Sequence, residues 1–165
     1  MIWHLVTVGK PALSYARAGR DEYLARLQRW SRIEQFTVKA SDPGRESTAL
    51  LKASEGCFRL LLDEEGKQMT SRTFAAHVGA WQQAARPVAV ILGGADGHNQ
   101  SLREAADFVW SLGPATLQHE LALVVALEQI YRAHTILAGH PYHRDQGSKA
   151  LTRLAATTSP AAKRS

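Results

Sequence analysis

Cysteine is almost missing: Cys57 is the single one in 165 residues. One thiol builds neither an internal disulfide nor a thiolate metal site, and this usage fits a reducing compartment. Its neighbours Phe58, Leu60, Leu61 and Leu62 mark it as a buried structural thiol rather than a nucleophile. No apolar run reaches membrane-spanning length. The opening segment MIWHLVTVGK has no charged leader region, and its apolar stretch is too short for a signal peptide. A soluble, cytoplasmic protein with no membrane partner is expected. Also missing are a GxGxxG fingerprint, a GK[ST] phosphate loop, a nucleophile elbow and a dyad of carboxylates. These absences argue against covalent hydrolysis and leave binding, positioning and group transfer.

What is present is enough for one domain with a real core, at 45% hydrophobic residues. The formal net charge is +5, which favours a polyanionic partner. The charge is uneven. Lys10, Arg17, Arg20, Arg26, Arg29 and Arg32 cluster near the start, and Arg132, Arg144, Lys149, Arg153, Lys163 and Arg164 near the end.

Strands are expected over 2–8, 33–38, 57–63, 87–94 and 108–112. Helices are expected over 12–30, from about Ser47, over 70–85 with a cap at Thr70 or Ser71, over 101–107 and over 119–137. SDPGRES (41–47) reads as a loop, and EEGK as the end of the third strand. The alternation predicts an α/β fold with a mostly parallel sheet in a single compact domain, residues 1–144. The helix over 119–137 is apolar on nearly every face and must be covered on nearly every face, which predicts a homodimer through it. Residues 145–165 carry too little apolar surface to order well and read as a C-terminal extension.

Two glycine loops follow strands. LGGADGH (92–98) serves equally as a sharp turn or as a close approach of backbone to ligand, and SLGPATL (111–117) alone is a turn. Together they make a cofactor crevice at the carboxyl ends of the strands more plausible. His98, His119, His140 and His143 match no zinc spacing, and Pro141 inside HxxH keeps both rings off one helical face, so no metal is expected. Glu128 and Arg132, four apart in the long helix, read as an ion pair, with Arg132 also a candidate active-site or RNA-facing charge. GHPYHR (139–144) crowds titratable groups where Pro141 prevents a helix, as a polar loop or a substrate-facing tail would.

The segments LDEEGKQMTSRTFAAHV, VILGGADGH, VWSLGPATLQHEL and LEQIYRAHTILAGHPYHR, in this order and spacing, carry a resemblance. From about residue 2 to Arg144 the chain resembles the small SPOUT-class methyltransferases of the ribosomal RNA large subunit methyltransferase H family. These act on N3 of a pseudouridine in large-subunit (23S) ribosomal RNA. The resemblance implies a SPOUT-type α/β trefoil knot, S-adenosyl-L-methionine as methyl donor, an obligate dimer, and large-subunit rRNA within the ribosome as partner. It places cofactor contacts on Leu62, on Gly93 and Gly94, and on Leu112, Gly113, Pro114, Ala115, Thr116 and Leu117. It makes Tyr142, His143 and Arg144 a substrate-side tail, set near the methyl group of the partner subunit. Arg144 or Arg132 would stabilise the developing negative charge of the base, and His143 would accept its proton. The chain departs from the family by its extension past Arg144, by a shorter segment 39–56, by Leu123 in place of Arg and by Gln118 in place of Pro. Two rival readings stay beside it: the same fold acting on transfer RNA, and a non-catalytic ribosome-binding factor.

Overall fold

Sheet order and side-chain alternation explain how the first strand comes to lie against the long helix near residue 130. The computed structural model describes residues 1–94 and 97–143. The elements in chain order are β1 (Ile2–Val8), α1 (Ser14–Leu27), β2 (Arg32–Val38), α2 (Pro43–Ala53) and β3 (Phe58–Gln68). They continue with α3 (Ser71–Gln83), β4 (Val88–Leu92), α4 (Gln100–Glu104), β5 (Phe108–Ser111) and α5 (His119–Leu137). The five strands pair in parallel in the order β2-β1-β4-β3-β5. The expected α/β class and parallel sheet are found.

Helices cover both faces, so the central strands are apolar on both, as parallel sheets require. Along β4, Val88, Val90 and Leu92 pack with Trp3, Leu60, Trp110 and the buried faces of α1, α3 and α5. Ala89 and Ile91 point the other way, against Leu50 of α2 and Leu102 of α4. Cys57 is buried in that second cluster, as its neighbours imply, and its thiol lies 3.3 Å from Nδ1 of His4. Burial pushes the thiol's pKa up.

Two expectations are corrected. SDPGRES is not all loop: α2 begins at Pro43, with the Asp42 carboxylate accepting from the Arg45 amide at 3.0 Å. Asp-Pro supplies an N-cap and a first helical residue whose missing N–H costs nothing there. Nor does β3 stop at Asp63: it continues through EEGK to Gln68. Leu62 and Lys67 both register with Trp110, so Asp63 to Gly66 form a bulge in the strand.

Polar contacts tie the first residues to α5. Glu120 is buried, and its carboxylate accepts from the amides of Ala12 and Leu13 at 3.0 and 2.9 Å. It thereby caps α1, whose N-cap residue Leu13 has no side-chain cap of its own. These amide bonds hold the Glu120 carboxyl below its ordinary pKa. At the other end of α5 the Trp3 indole N–H donates to Nε2 of buried His134 at 3.1 Å, with the Ser31 hydroxyl also at 3.1 Å.

That indole fixes His134 as neutral, since a proton on Nε2 would face another N–H. Burial, with the N-terminal charge adding to it, lowers the ring's pKa to about 4, from an ordinary 6.5. The unfolded chain therefore binds the proton first as pH falls. Stability is expected to drop by about 3 kcal/mol between roughly pH 6.5 and pH 4. Urea denaturation across that range checks it, and His134→Gln should flatten that part of the profile.

Candidate functional site

The carboxyl ends of β3, β4 and β5 open into one cleft of about 580 Å³, within the range of small-molecule sites. Parallel strands leave the beginnings of their connecting loops there, and the glycine loops form its walls. Leu62, Gly93, Gly94, Leu112, Gly113, Ala115, Thr116 and Leu117 line it. Pro114 lies in the same loop but is exposed and is not part of the lining. Eight of the nine residues expected at a cofactor site thus share one wall.

The cleft also holds groups that sequence reasoning left aside. His98 Nε2 lies 2.7 Å from the Leu62 carbonyl, so Nε2 carries the proton and donates. Burial, the leading cause, lowers the pKa of the ring, which is neutral. Its Nδ1 is enclosed and has no hydrogen-bond partner among the described residues. Gly93 allows this arrangement, because a Cβ there would sit 2.6 Å from the ring. The β3 bulge carries Asp63 and Glu64 into the cleft. Asp63 is almost buried and pairs with Arg103 at 3.0 Å, and Glu65 also pairs with Arg103. Glu64 accepts from the Thr116 hydroxyl at 2.7 Å, tying the bulge to the 112–117 loop. Below Gly94, buried Glu46 accepts from the Ser41 amide at 2.7 Å. A charged pair straight after an apolar strand was the available signal for the bulge.

Tyr142, His143 and Arg132 come together, but elsewhere. Glu128 accepts from Arg132 Nε at 3.0 Å and from the Tyr142 hydroxyl at 3.1 Å. Arg132 Nη1 is 3.4 Å from His143 Nδ1, and its guanidinium carbon lies 4.8 Å from the centre of the Tyr142 ring. Tyr142 packs edge-on against Tyr131 at 4.8 Å, and its hydroxyl is 3.5 Å from that of Tyr23. Burial and these neighbours raise the Tyr142 pKa, so the phenol stays neutral. Hydrogen bonding to Glu128 raises that of Arg132. Arg144 and residues 145–165 lie outside the described residues, as does Asp96 of the first glycine loop. No group of three metal-ligating side chains occurs among the described residues.

None of the described tail residues reaches the cleft. From Ala122, which lines the cleft, to Arg132 the helix rises about 15 Å at 1.5 Å per residue. Two of the four departures from the family pattern, Gln118 and Leu123, are absorbed structurally. Gln118 caps α5 by accepting from the Leu121 amide at 3.0 Å, and Leu123 is buried in the core.

A glycine-walled cleft at the carboxyl ends of a parallel sheet, closed by a long C-terminal helix, defines a small-ligand-binding α/β protein. The class follows from comparison: residues 1–143 match the family described as "Predicted SPOUT methyltransferase", and the chain belongs to the SPOUT methyltransferase family. It is 44% identical over 142 residues to the ribosomal RNA large subunit methyltransferase H of Deinococcus radiodurans, covering 86% of this chain and 97% of that protein. To a protein of the same name from Thermus thermophilus it is 44% identical over 140 residues, covering 85% and 96%. Its fold is similar to the crystal structure of tRNA (m1G37) methyltransferase from Aquifex aeolicus, with a TM-score of 0.53 at 12% identity. That match covers 87% of this chain and 74% of the other.

Proposed function

We propose that this chain is an S-adenosylmethionine-dependent methyltransferase that modifies N3 of a pseudouridine in large-subunit ribosomal RNA, on the ribosome and in the cytoplasm. The observation that carries the reading is the cleft. Eight of the nine residues that the family resemblance gives to the cofactor line one cavity of suitable size. The names of relatives at 44% identity support the RNA class, and the net charge of +5 suits a polyanion. The trefoil knot belongs to this reading too, supported by family membership and by a sheet order in which β4 separates β1 from β3.

Leu62, Gly93, Gly94 and the 112–117 loop would hold S-adenosylmethionine, with Pro114 shaping the loop from outside. The cofactor supplies a methyl group on a positive sulfur, and its transfer to a ring nitrogen requires that nitrogen's proton to leave. Arg132, Tyr142, His143 and Arg144 act from the substrate side. The distance of Arg132 from the cleft along α5 supports a homodimer in which the tail of one subunit serves the cleft of the other. Exposed Leu121 on α5, Tyr15 on α1 and Leu13 just before it offer apolar surface for that contact.

The test is methyl transfer from labelled S-adenosylmethionine to ribosomes from a strain lacking the modification, followed by nucleoside analysis. Label recovered as N3-methylpseudouridine in the large-subunit RNA is expected. Label appearing in transfer RNA instead moves the substrate. Failure to bind S-adenosylmethionine in calorimetry supports the non-catalytic ribosome-binding factor.

A further inference from the structure

Glu128 organises the tail. Its Oε1 takes Arg132 Nε at 3.0 Å, Arg132 Nη2 at 2.5 Å and the Tyr142 hydroxyl at 3.1 Å. Its Oε2 takes Gln129 Nε2 at 2.7 Å, and Gln129 in turn accepts from Ser71 of α3 at 2.7 Å. With two of its nitrogens so held, Arg132 turns Nη1 toward His143 Nδ1 at 3.4 Å. Around it stand the Tyr142 and Tyr23 hydroxyls, Tyr131 packed on the Tyr142 ring, and Arg26 over the Tyr23 and Tyr131 rings, and the Tyr142 hydroxyl bonds to Glu128.

A guanidinium is always protonated and only donates. Nδ1 of His143 is therefore the ring's lone pair, and the single proton of the neutral imidazole sits on Nε2. We infer that His143 meets its substrate as a hydrogen-bond donor through Nε2–H, with Arg132 and Glu128 as the positioning residues that set this tautomer. The inference rests on the reading above, that the tail closes on a ring N–H acceptor. It replaces the proton-accepting role that follows from the family resemblance for His143, because the ring's lone pair is already engaged by Arg132. The N3–H bond then breaks with its proton passing to solvent water. The electron pair left on N3 forms the new bond to carbon, while the C–S bond breaks and its pair stays on sulfur. Meanwhile negative charge gathers on the two carbonyl oxygens flanking N3, and an N–H donor stabilises charge of that kind.

The tautomer is read directly by long-range nitrogen–proton NMR on the full chain labelled with ¹⁵N-histidine. His143 should show a protonated Nε2 and a bare Nδ1, and Glu128→Gln should weaken that preference. A ring protonated on Nδ1 overturns the inference. In turnover, His143→Gln, whose amide nitrogen falls near the Nε2 position, should stay within about tenfold of the parent. His143→Asn and His143→Ala should lose about a hundredfold or more in kcat, the scale of a lost oxyanion donor, with KM for S-adenosylmethionine unchanged. Equal losses in the Gln and Ala variants, both with parental Tm, overturn the donor role. If the parent chain methylates no ribosomal RNA, it is the proposed function that fails, and the NMR arm still decides the tautomer.

Discussion

Replacing Gly66 by alanine is expected to destabilise the fold more than any other single methyl group added to it. Gly66 sits at the end of the β3 bulge, where the strand closes again on β5. A Cβ there would lie 2.7 Å from the Trp110 carbonyl carbon, 2.8 Å from its nitrogen and 2.8 Å from the Val109 carbonyl carbon. All three are backbone atoms in a paired strand, so no rotamer change relieves the contact. Trp110 cannot retreat either, because it is buried and stacked on Phe74 with ring centres 4.1 Å apart. The cost should be about 3 kcal/mol or more, the upper range for overpacking. In a domain of this size that lowers Tm by about 10 °C. The same displacement shifts Trp110, Ser111 and Leu112 in the cleft wall. Thermal denaturation and calorimetry with S-adenosylmethionine should both register the change. A Tm within two degrees of the parent, by about the same scaling, would show that β5 yields and that the bulge is softer than its contacts imply.

Gly93→Ala is expected to have the largest effect on ligand binding with a small effect on stability. The added carbon meets His98 Cε1 at 2.6 Å and Nδ1 at 2.7 Å, with the Gly97 carbonyl at 3.2 Å. Here the obstacle is a side chain, so the fold survives, but the ring must leave the Leu62 carbonyl that it now holds at 2.7 Å. Leu62, Gly93 and His98 all line the cleft. Affinity for S-adenosylmethionine should fall by about a hundredfold, near 2.7 kcal/mol. The pair Gly93→Ala with His98→Ala should bind better than Gly93→Ala alone, because removing the ring removes the collision. A double-mutant cycle in calorimetry measures that coupling. Strictly additive losses would mean that the ring does not transmit the effect.

Elements whose burial is decided locally are legible from sequence. β4 and α5 stand out because long apolar runs have one physical reading once their lengths are known. The crevice is legible for the same reason: two glycine loops follow strands, and parallel strands bring such loops to one end. β3 reads short in sequence because Asp63, Glu64 and Glu65 look like solvent-exposed loop, and pattern alone cannot show that Gly66 lets the chain rejoin the sheet beyond them. α2 begins earlier than expected because Asp42-Pro43 reads as a turn, although the same pair starts helices. His98 is undecided in sequence, since its partner Leu62 lies in another strand. Arg132 is legible from its spacing to Glu128, four residues before it, and Tyr142 and His143 from the crowded GHPYHR segment, with their roles coming from the family resemblance. The Glu128–Arg132 pair is a local pattern, but that Tyr142 and His143 join it in one cluster, some 15 Å along α5 from the cleft, is a tertiary fact that no local pattern carries.

The contacts between the first residues and α5 also govern when the molecule comes into being. Trp3 waits for His134, Ala12 and Leu13 for Glu120, and Tyr23 for Tyr142, while β1 pairs with β4 some eighty residues further on. Chains whose decisive contacts are this far apart fold slowly, because loop closure is met before those contacts reward it. During synthesis β1 and α1 leave the ribosome first, yet their packing is finished last. Until α5 has emerged they are a nascent segment with an open strand edge, the kind of surface that chaperones shield.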